Sequence, residues 1–202
     1  MTVDLVVLVP SRGRPGNIRD LRKAWDATST ARSAFAVIVD EDDPCCEEYL
    51  ADATSREEVF VSRGRRRRIG QLLNEVAPQV AGHARAVGFM GDDHRPRSRG
   101  WDTTMLHTLD AMGGGLVYGD DLIHGEALPT AVVMSSQIVS ALGWMCPPGL
   151  GHLYLDNAWL ELGRALGRIR YLPGLVVEHM HPIAGKARMD DTYRQANTAE
   201  QY

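Results

Sequence analysis

Two short segments, Gly91-Asp92-Asp93-His94 and Glu178-His179-Met180-His181, carry the residue types that bind divalent cations. Each follows a short apolar run, Ala86-Val87-Gly88-Phe89-Met90 and Gly174-Leu175-Val176-Val177, which reads as a buried strand. The candidate ligands therefore fall at the C-terminal ends of strands, where the sites of open α/β sheets collect. Paired carboxylates with an imidazole suit a cation that keeps coordination positions open for phosphate oxygens. Adjacent acids at a sheet edge are costly unless something positive neutralises them, and Arg95, Arg97 and Arg99 can do that as plain ion pairs. Spacing alone leaves both readings open. His179 and His181 lie two apart on an extended segment, so their side chains share a face. Asp120-Asp121 repeats the acidic pattern after Leu116-Val117-Tyr118-Gly119. Asp156 opens a helix, where an aspartate serves as an N-cap as readily as it does chemistry.

Phosphate-binding chemistry is written near the start. Pro10-Ser11-Arg12-Gly13-Arg14-Pro15-Gly16 is a turn-rich loop after the first strand. Its backbone N–H groups and guanidinium forks can hold a pyrophosphate. Neither a GxxxxGK[ST] phosphate loop nor a GxGxxG fingerprint is present, so an ordinary ATPase and a Rossmann dehydrogenase are not indicated. Asp40 ends the second strand and can accept hydrogen bonds from a nucleobase or ribose, while Glu41, Asp42 and Asp43 read as solvated neighbours. The run Arg63, Arg65-Arg66-Arg67-Arg68 does not alternate in sign as a structural cluster would, which points to at least one phosphate contact.

The elements that must position these groups follow from apolar periodicity. Leu5–Val9, Phe35–Val39, Val59–Val61 and Ala86–Met90 read as strands, the first a β-branched run stopped by Pro10. Between them lie helices, one capped by Asn17 and running through Ile18, Leu21 and Trp25, another carrying Ile69, Leu72, Leu73 and Val76. The order β-α-β-α-β-α-β predicts right-handed crossovers and a mostly parallel sheet. Later come a helix over Trp101–Met112, strands at Leu116–Tyr118 and Thr130–Met134, a helix after Ser135-Ser136, and an amphipathic helix over Asp156–Leu166. The 202 residues suffice for one α/β domain with a complete core. A net charge of −4 argues against a generic polyanion binder. Three cysteines without a CxxC pattern suggest a reducing compartment. The start lacks the basic region of a signal peptide, and no apolar run reaches the roughly 18 residues that span a bilayer, so a cytoplasmic protein is expected, in the host cytoplasm if phage-encoded.

Taken in order, Val7-Leu8-Val9-Pro10-Ser11-Arg12-Gly13-Arg14, Val39-Asp40-Glu41-Asp42, Asn74 in its helix and Phe89-Met90-Gly91-Asp92-Asp93 resemble the nucleotide-sugar-binding half of GT-A glycosyltransferases. The nearest type is the family-2-like enzymes of bacteria and their phages, and the resemblance covers about residues 3–182. It implies a GT-A (Rossmann-like) open, mostly parallel twisted sheet flanked by helices. Residues 1–182 would form the catalytic domain, with a donor half (1–100) and an acceptor half (101–182), and residues 183–202 a flexible tail or lid. Asp40 would contact the base. The family's D-x-D signature falls on Gly91-Asp92-Asp93, with glycine where its first aspartate stands. Asp93 is then the expected ligand of Mn²⁺ or Mg²⁺ and Asp92 the ribose- or pyrophosphate-side partner, with His179 or His181 completing the metal site. Pro10, Ser11, Arg12, Arg14, Arg65 and Arg68 would line the nucleotide sugar. Lys186 and Arg188 would close over its diphosphate. Asp156 fits the catalytic base of an inverting member.

The function expected is transfer of a sugar from a nucleoside diphosphate sugar to an acceptor hydroxyl. Clustered arginines are compatible with DNA carrying hydroxymethylated pyrimidines as acceptor, and a protein or small glycan acceptor is equally open. Two other classes share parts of the pattern. A nucleotidyltransferase also has paired carboxylates, arginine-rich loops and Mg²⁺, but with a lysine near the first strand that is not found here. A non-catalytic nucleotide- or nucleic-acid-binding module would need only the arginine cluster.

Overall fold

The computed structural model describes residues 3–53, 57–62 and 66–187. Arg65, Arg188 and most of the expected lid lie outside the described residues. In chain order the elements are β1 (Val3–Pro10), α1 (Pro15–Thr28), β2 (Ser33–Asp40), α2 (Cys46–Asp52), β3 (Glu57–Ser62), α3 (Ile69–Ala81) and β4 (Ala84–Phe89). The second half adds β5 (His94–Pro96), α4 (Trp101–Ala111), β6 (Leu116–Asp120), β7 (Val132–Ser135), α5 (Ser136–Leu142), α6 (Leu155–Ala165) and β8 (Ile169–His179).

One open sheet runs through both halves in the order β3-β2-β1-β4-β7-β6-β8-β5. Its central strand β1 is covered on both faces, with Leu5, Val7, Leu8 and Val9 fully buried, which is why it reads as a continuous apolar run. One face carries α1, α2 and α4 over a core built on Trp25, Phe35, Trp101 and Met105. The other carries α3, α5 and α6 over Leu73, Val76, Met134 and Trp159. Between strands, the first half is wholly parallel, as expected. The second half is mixed: β7 runs antiparallel to both β4 and β6, and β8 is parallel to β6.

Three local features depart from the sequence reading. The first helix begins at Pro15, whose fixed φ suits the first helical position, so Asn17 lies inside the helix and its amide is available to the site. β8 starts at Ile169, five residues before the apolar run that announces it, because a parallel partner in β6 supplies the hydrogen bonds that periodicity does not reveal. β5 has three residues and is held by antiparallel pairing with β8, which sets His94 opposite His179. A buried carboxylate fixes the frame: Asp102 accepts from the Thr30 and Ala31 N–H groups and from Ser33 Oγ at 2.6 Å, tying α4 to the entrance of β2.

Candidate active site

The C-terminal ends of β1, β2 and β4 meet in a cradle of protein hydrogen bonds. Asp92 is buried and accepts from Ser11 Oγ (2.6 Å), Asn17 Nδ2 (3.2 Å) and Arg14 Nη1 (3.4 Å). Ser11 has one hydroxyl hydrogen and gives it to Asp92, so Tyr49 Oη must donate across the 2.9 Å to Ser11 Oγ while accepting from the Arg14 N–H at 2.8 Å. Burial pushes the Tyr49 phenol up to about 12, which keeps that proton in place at neutral pH. Burial, with Asp93 beside it, also raises the Asp92 carboxyl above the usual carboxylate range. Arg12 reaches Asp40 (3.2 Å) and forks onto Asp42 (2.7 and 3.2 Å). Asp43, expected to be solvated, is buried and accepts from the Gly13 and Cys45 N–H groups. It is the clamp that shapes the loop. Pro10, the last residue of β1, pairs in register with Ile38 and presents this loop at the sheet edge.

Asp93 faces the other way, toward imidazoles. His179 Nε2 lies 3.2 Å from Asp93 Oδ2, and His94 Nδ1 lies 3.4 Å from Oδ1. The His94 and His179 rings stack with centroids 4.2 Å apart. Burial alone would raise Asp93, but the hydrogen bond from His179, with the His94 ring close by, outweighs it and holds the carboxyl well below its usual range. Burial, reinforced by His94, lowers the His179 pKa and favours a neutral, ligating ring. His179 Nδ1 is buried with no hydrogen-bond partner among the described residues, an uncommon state for a polar atom. Asp93, His94 and His179 bring one ligand atom each within 4.8 Å of one another.

His181 stands outside that group. Its ring meets His179 edge-on at 5.1 Å, on the same side as expected, and its Nδ1 accepts from the Ile183 N–H. His94 takes the place beside Asp93, yet both of its nitrogens have protein neighbours, the Gly91 N–H at 3.0 Å and Thr130 Oγ1 at 3.5 Å. Gly91 explains the missing aspartate of the D-x-D pattern. A Cβ there would sit 2.5 Å from Asp93 Oδ1 and 3.1 Å from His94 Nδ1, so the space belongs to those side chains. The donor set fits a divalent cation: 3.2 Å between Asp93 Oδ2 and His179 Nε2 is close to the spacing of neighbouring ligands each about 2.1–2.2 Å from one ion.

A second shell of chemistry lies behind the imidazoles, on the loop after β6. Asp121 is buried, and Oδ1 accepts from the N–H groups of Ile123, His124 and Gly125. Oδ2 receives Thr130 Oγ1 and holds His124 Nδ1, both at 2.9 Å. Asp156, in the first turn of α6, carries a pKa raised by burial and lies within electrostatic reach of His124, His179 and His94. Sequence reasoning passed over His124, although D-x-x-H after a strand is the signal of a carboxylate folding back on its own turn.

The cationic residues are spread more widely. Arg67 pairs with Glu75, and its N–H reaches Asp40 at 3.4 Å. Arg68 is exposed and packs against Gly151 on the Asp156 side, near the half-buried His152. Lys186 and Arg97 both pair with Glu178 at 2.8 Å. A cleft of about 730 Å³ opens between α1 and the strand end, lined by Asn17, Lys23, Asp93, Arg95, Arg97 and Lys186 among others. Asn74, part of the sequence pattern, is a structural clamp that accepts from Met145 and Cys146 N–H and donates to the Cys146 carbonyl. No helix among the described residues is long and apolar enough to cross a membrane.

No protein-family model matches the chain, and no curated protein matches it in sequence. Solved structures do match it in shape. S. aureus TarS 1-349 superposes with a TM-score of 0.68 at 12% identity, over 98% of this chain and 70% of that one. The Pyrobaculum calidifontis mannosyltransferase PcManGT, solved with GDP-Man and Mn²⁺, gives 0.69 at 13% identity, over 90% of this chain and 58% of that one, so the chain spans less than two thirds of its length. A putative nucleotide-diphospho-sugar transferase from Desulfovibrio desulfuricans G20 gives 0.60 at 10% identity, over 98% of this chain and 93% of that one. At such identities the likeness is one of architecture: this chain has the GT-A fold of the nucleotide-sugar glycosyltransferases.

Proposed function

We propose that the chain is a metal-dependent glycosyltransferase that moves a sugar from a nucleoside diphosphate sugar to an acceptor hydroxyl. The observation that carries this reading is the meeting of Asp93 and His179 at neighbouring strand ends, beside a cleft with cationic walls and within the electrostatic influence of a half-buried carboxylate, Asp156. The matched mannosyltransferase bound to GDP-Man and Mn²⁺ shows which ligands this architecture accommodates elsewhere.

In this reading Asp93 and His179 hold the cation, His94 buttresses His179 by stacking, and His181 packs edge-on against His179. One carboxylate with imidazole favours Mn²⁺ over Mg²⁺, which prefers oxygen ligands throughout. A bound cation would neutralise the charge that builds on the departing diphosphate. The residues of the chain supply the rest. Asp40, Ser11, Arg12 and Arg14 receive the nucleotide, and Asp92 fixes the loop that carries Ser11, Arg12 and Arg14. Lys186, freed from Glu178, reaches the diphosphate. Asp156 takes the proton of the acceptor hydroxyl while the hydroxyl oxygen bonds to the anomeric carbon. The bond from that carbon to the diphosphate oxygen breaks, and its electron pair leaves with the diphosphate. A single displacement with one base and no protein nucleophile inverts the anomeric centre.

A modified-DNA acceptor was suggested by the clustered arginines, and Arg12, Arg67 and Arg97 are held by Asp40 and Asp42, Glu75 and Glu178 respectively. Melting the protein in the presence of Mn²⁺ and a panel of UDP- and GDP-sugars tests the reading, since a ligand that binds only the folded state raises the melting temperature. One nucleotide sugar should stabilise the protein in a Mn²⁺-dependent manner. Stabilisation by nucleoside triphosphates alone would indicate a nucleotidyltransferase, and none by any nucleotide would remove the function altogether.

A further inference from the structure

Behind the proposed metal ligands, a chain of hydrogen bonds fixes where the proton of one imidazole sits. It starts at Asp121, whose Oδ1 accepts from the N–H groups of Ile123, His124 and Gly125. A carboxylate met by three such donors is ionised and can only accept. The Thr130 hydroxyl therefore gives its single hydrogen to Asp121 Oδ2, at 2.9 Å. Thr130 Oγ1 then has only lone pairs to offer His94 Nε2, 3.5 Å away, so that nitrogen must carry the proton. The other side of the ring requires the same. The Gly91 N–H points at His94 Nδ1 from 3.0 Å, and a donor can face only a bare nitrogen. Contacts at opposite ends of the ring thus select one tautomer. His94 and Thr130 are 2% and 6% exposed, so protein groups rather than bulk water make the choice.

The choice matters because of what lies beside Nδ1. Asp93 Oδ1 is 3.4 Å from it, on the carboxylate proposed to hold the cation. With its proton on Nδ1, His94 would donate to Asp93 and compete with a cation for that oxygen. With the proton on Nε2 it presents a lone pair there instead. We infer that Asp121 and Thr130 are positioning residues of the metal site: they hold the His94 proton on Nε2, away from Asp93, so that the ring does not compete with the cation. Metal sites are commonly tuned by groups that touch the ligands rather than the ion. Asp121 acts on the second proposed ligand as well, since its carbonyl accepts the His179 N–H at 3.0 Å and ties down that strand end. This inference rests on the metal-dependent reading and adds the residues that set its ligand chemistry.

The test labels the histidines of the full, metal-free chain with ¹⁵N and reads long-range proton–nitrogen correlations, in which protonated and bare ring nitrogens resonate far apart. Loss of signals in His94→Gln assigns the ring. The parent should carry the proton on Nε2. In Asp121→Asn the three backbone N–H groups keep the amide oxygen at the Oδ1 position, so the NH₂ group falls at Oδ2 and donates to Thr130. The Thr130 hydrogen then turns to His94 Nε2 and drives the ring proton to Nδ1. Mn²⁺ affinity, read by electron paramagnetic resonance of the free ion, should fall about tenfold, the low end for groups behind a metal ligand. Thr130→Val removes the acceptor of Nε2 at nearly constant shape, and should move part of the proton to Nδ1 with a smaller loss of Mn²⁺ affinity. Thr130→Ser should match the parent in both readouts. A parent with the proton on Nδ1 overturns the inference and leaves the metal-dependent reading standing. So does a loss of Mn²⁺ affinity in Asp121→Asn and Thr130→Val with the tautomer unchanged, which is all a merely structural role would give. A parent chain that shows the expected tautomer but binds no Mn²⁺ overturns both.

Discussion

Asp92 and Asp93 are neighbours in sequence and belong to opposite kinds of site. Asp92 sits in a cradle where protein donors meet its carboxylate: Ser11 and Asn17 by hydrogen bond, Arg14 by ion pair. Asp93 faces His179 and His94, and the buried Nδ1 of His179 has no partner among the described residues. A region whose polar groups the protein satisfies itself is a scaffold. One that leaves a buried nitrogen unmet beside a depressed carboxylate has room in its bonding for something else. On the proposed function the loop after β1 is held ready, and the imidazole side is where a cation would gain binding energy.

The largest contrast should come from replacing each aspartate. Asp93→Ala is expected to abolish Mn²⁺-dependent stabilisation by nucleotide sugar in a protein that still unfolds cooperatively. Asp92→Ala strands Ser11 and Arg14 and should cost about 2–4 kcal/mol of stability, read by urea unfolding, since it breaks a buried network. Mn²⁺-dependent stabilisation that survives in Asp93→Ala, or is lost as fully in a folded Asp92→Ala, would erase the distinction between scaffold and site. Next in size, Asp156→Asn should lower kcat by about 10²–10⁴, the usual worth of a general base, with donor binding retained. In the parent enzyme the acid limb of the kcat profile should lie above the ordinary carboxylate value of 3.8, because burial raises the Asp156 pKa and activity is lost as that group protonates.

The two histidines sharpen the comparison at smaller scale. His179→Ala should reduce Mn²⁺ affinity by about 10- to 100-fold or more, whereas His181→Ala, outside the three-residue group, should cost well under that. Similar losses for both would return them to a common structural role. Smaller still is the effect of Tyr49→Phe, which removes one buried donor to Ser11 and the acceptor for the Arg14 N–H, and should cost about 1–2 kcal/mol without changing metal affinity. Finally, Asp121 has a folded pKa below its unfolded value, since bonds from His124 and three backbone N–H groups outweigh its burial. Its contribution to stability is complete above the unfolded value and is lost as pH falls below about 4 toward the lower folded value. Asp121→Asn should therefore be destabilised at neutral pH and show a shallower loss of stability in acid.

How far the sequence foretold these regions follows from what kind of bond holds each. The parallel half was legible because its inner strands are buried on both faces, so Leu5–Val9 and Phe35–Val39 read as continuous apolar runs. Tyr49 was not, because its role depends on Ser11 and Arg14 meeting it across more than thirty residues. His94 stood inside the quoted motif, but its place opposite His179 depends on β5, a strand too short to leave a periodic trace. Asp92 and Asp93 face opposite ways within a turn that the His94 N–H closes on the Gly91 carbonyl, and which of them faced the loop could be read only once β1 and β4 were seen side by side. Asp43 looked solvated because a charge run usually is, and two backbone N–H groups reversed that.

The central claim is that Asp93 and His179 together hold the cation on which donor binding depends. Electron paramagnetic resonance of free Mn²⁺ tests it directly, since bound ions lose the sharp aqueous signal. Titrating the protein into Mn²⁺ with UDP or GDP should quench that signal in the parent chain. The quenching should be lost in Asp93→Ala and in His179→Ala, and retained in His181→Ala. Undiminished quenching by a folded protein lacking both Asp93 and His179 side chains would contradict the account.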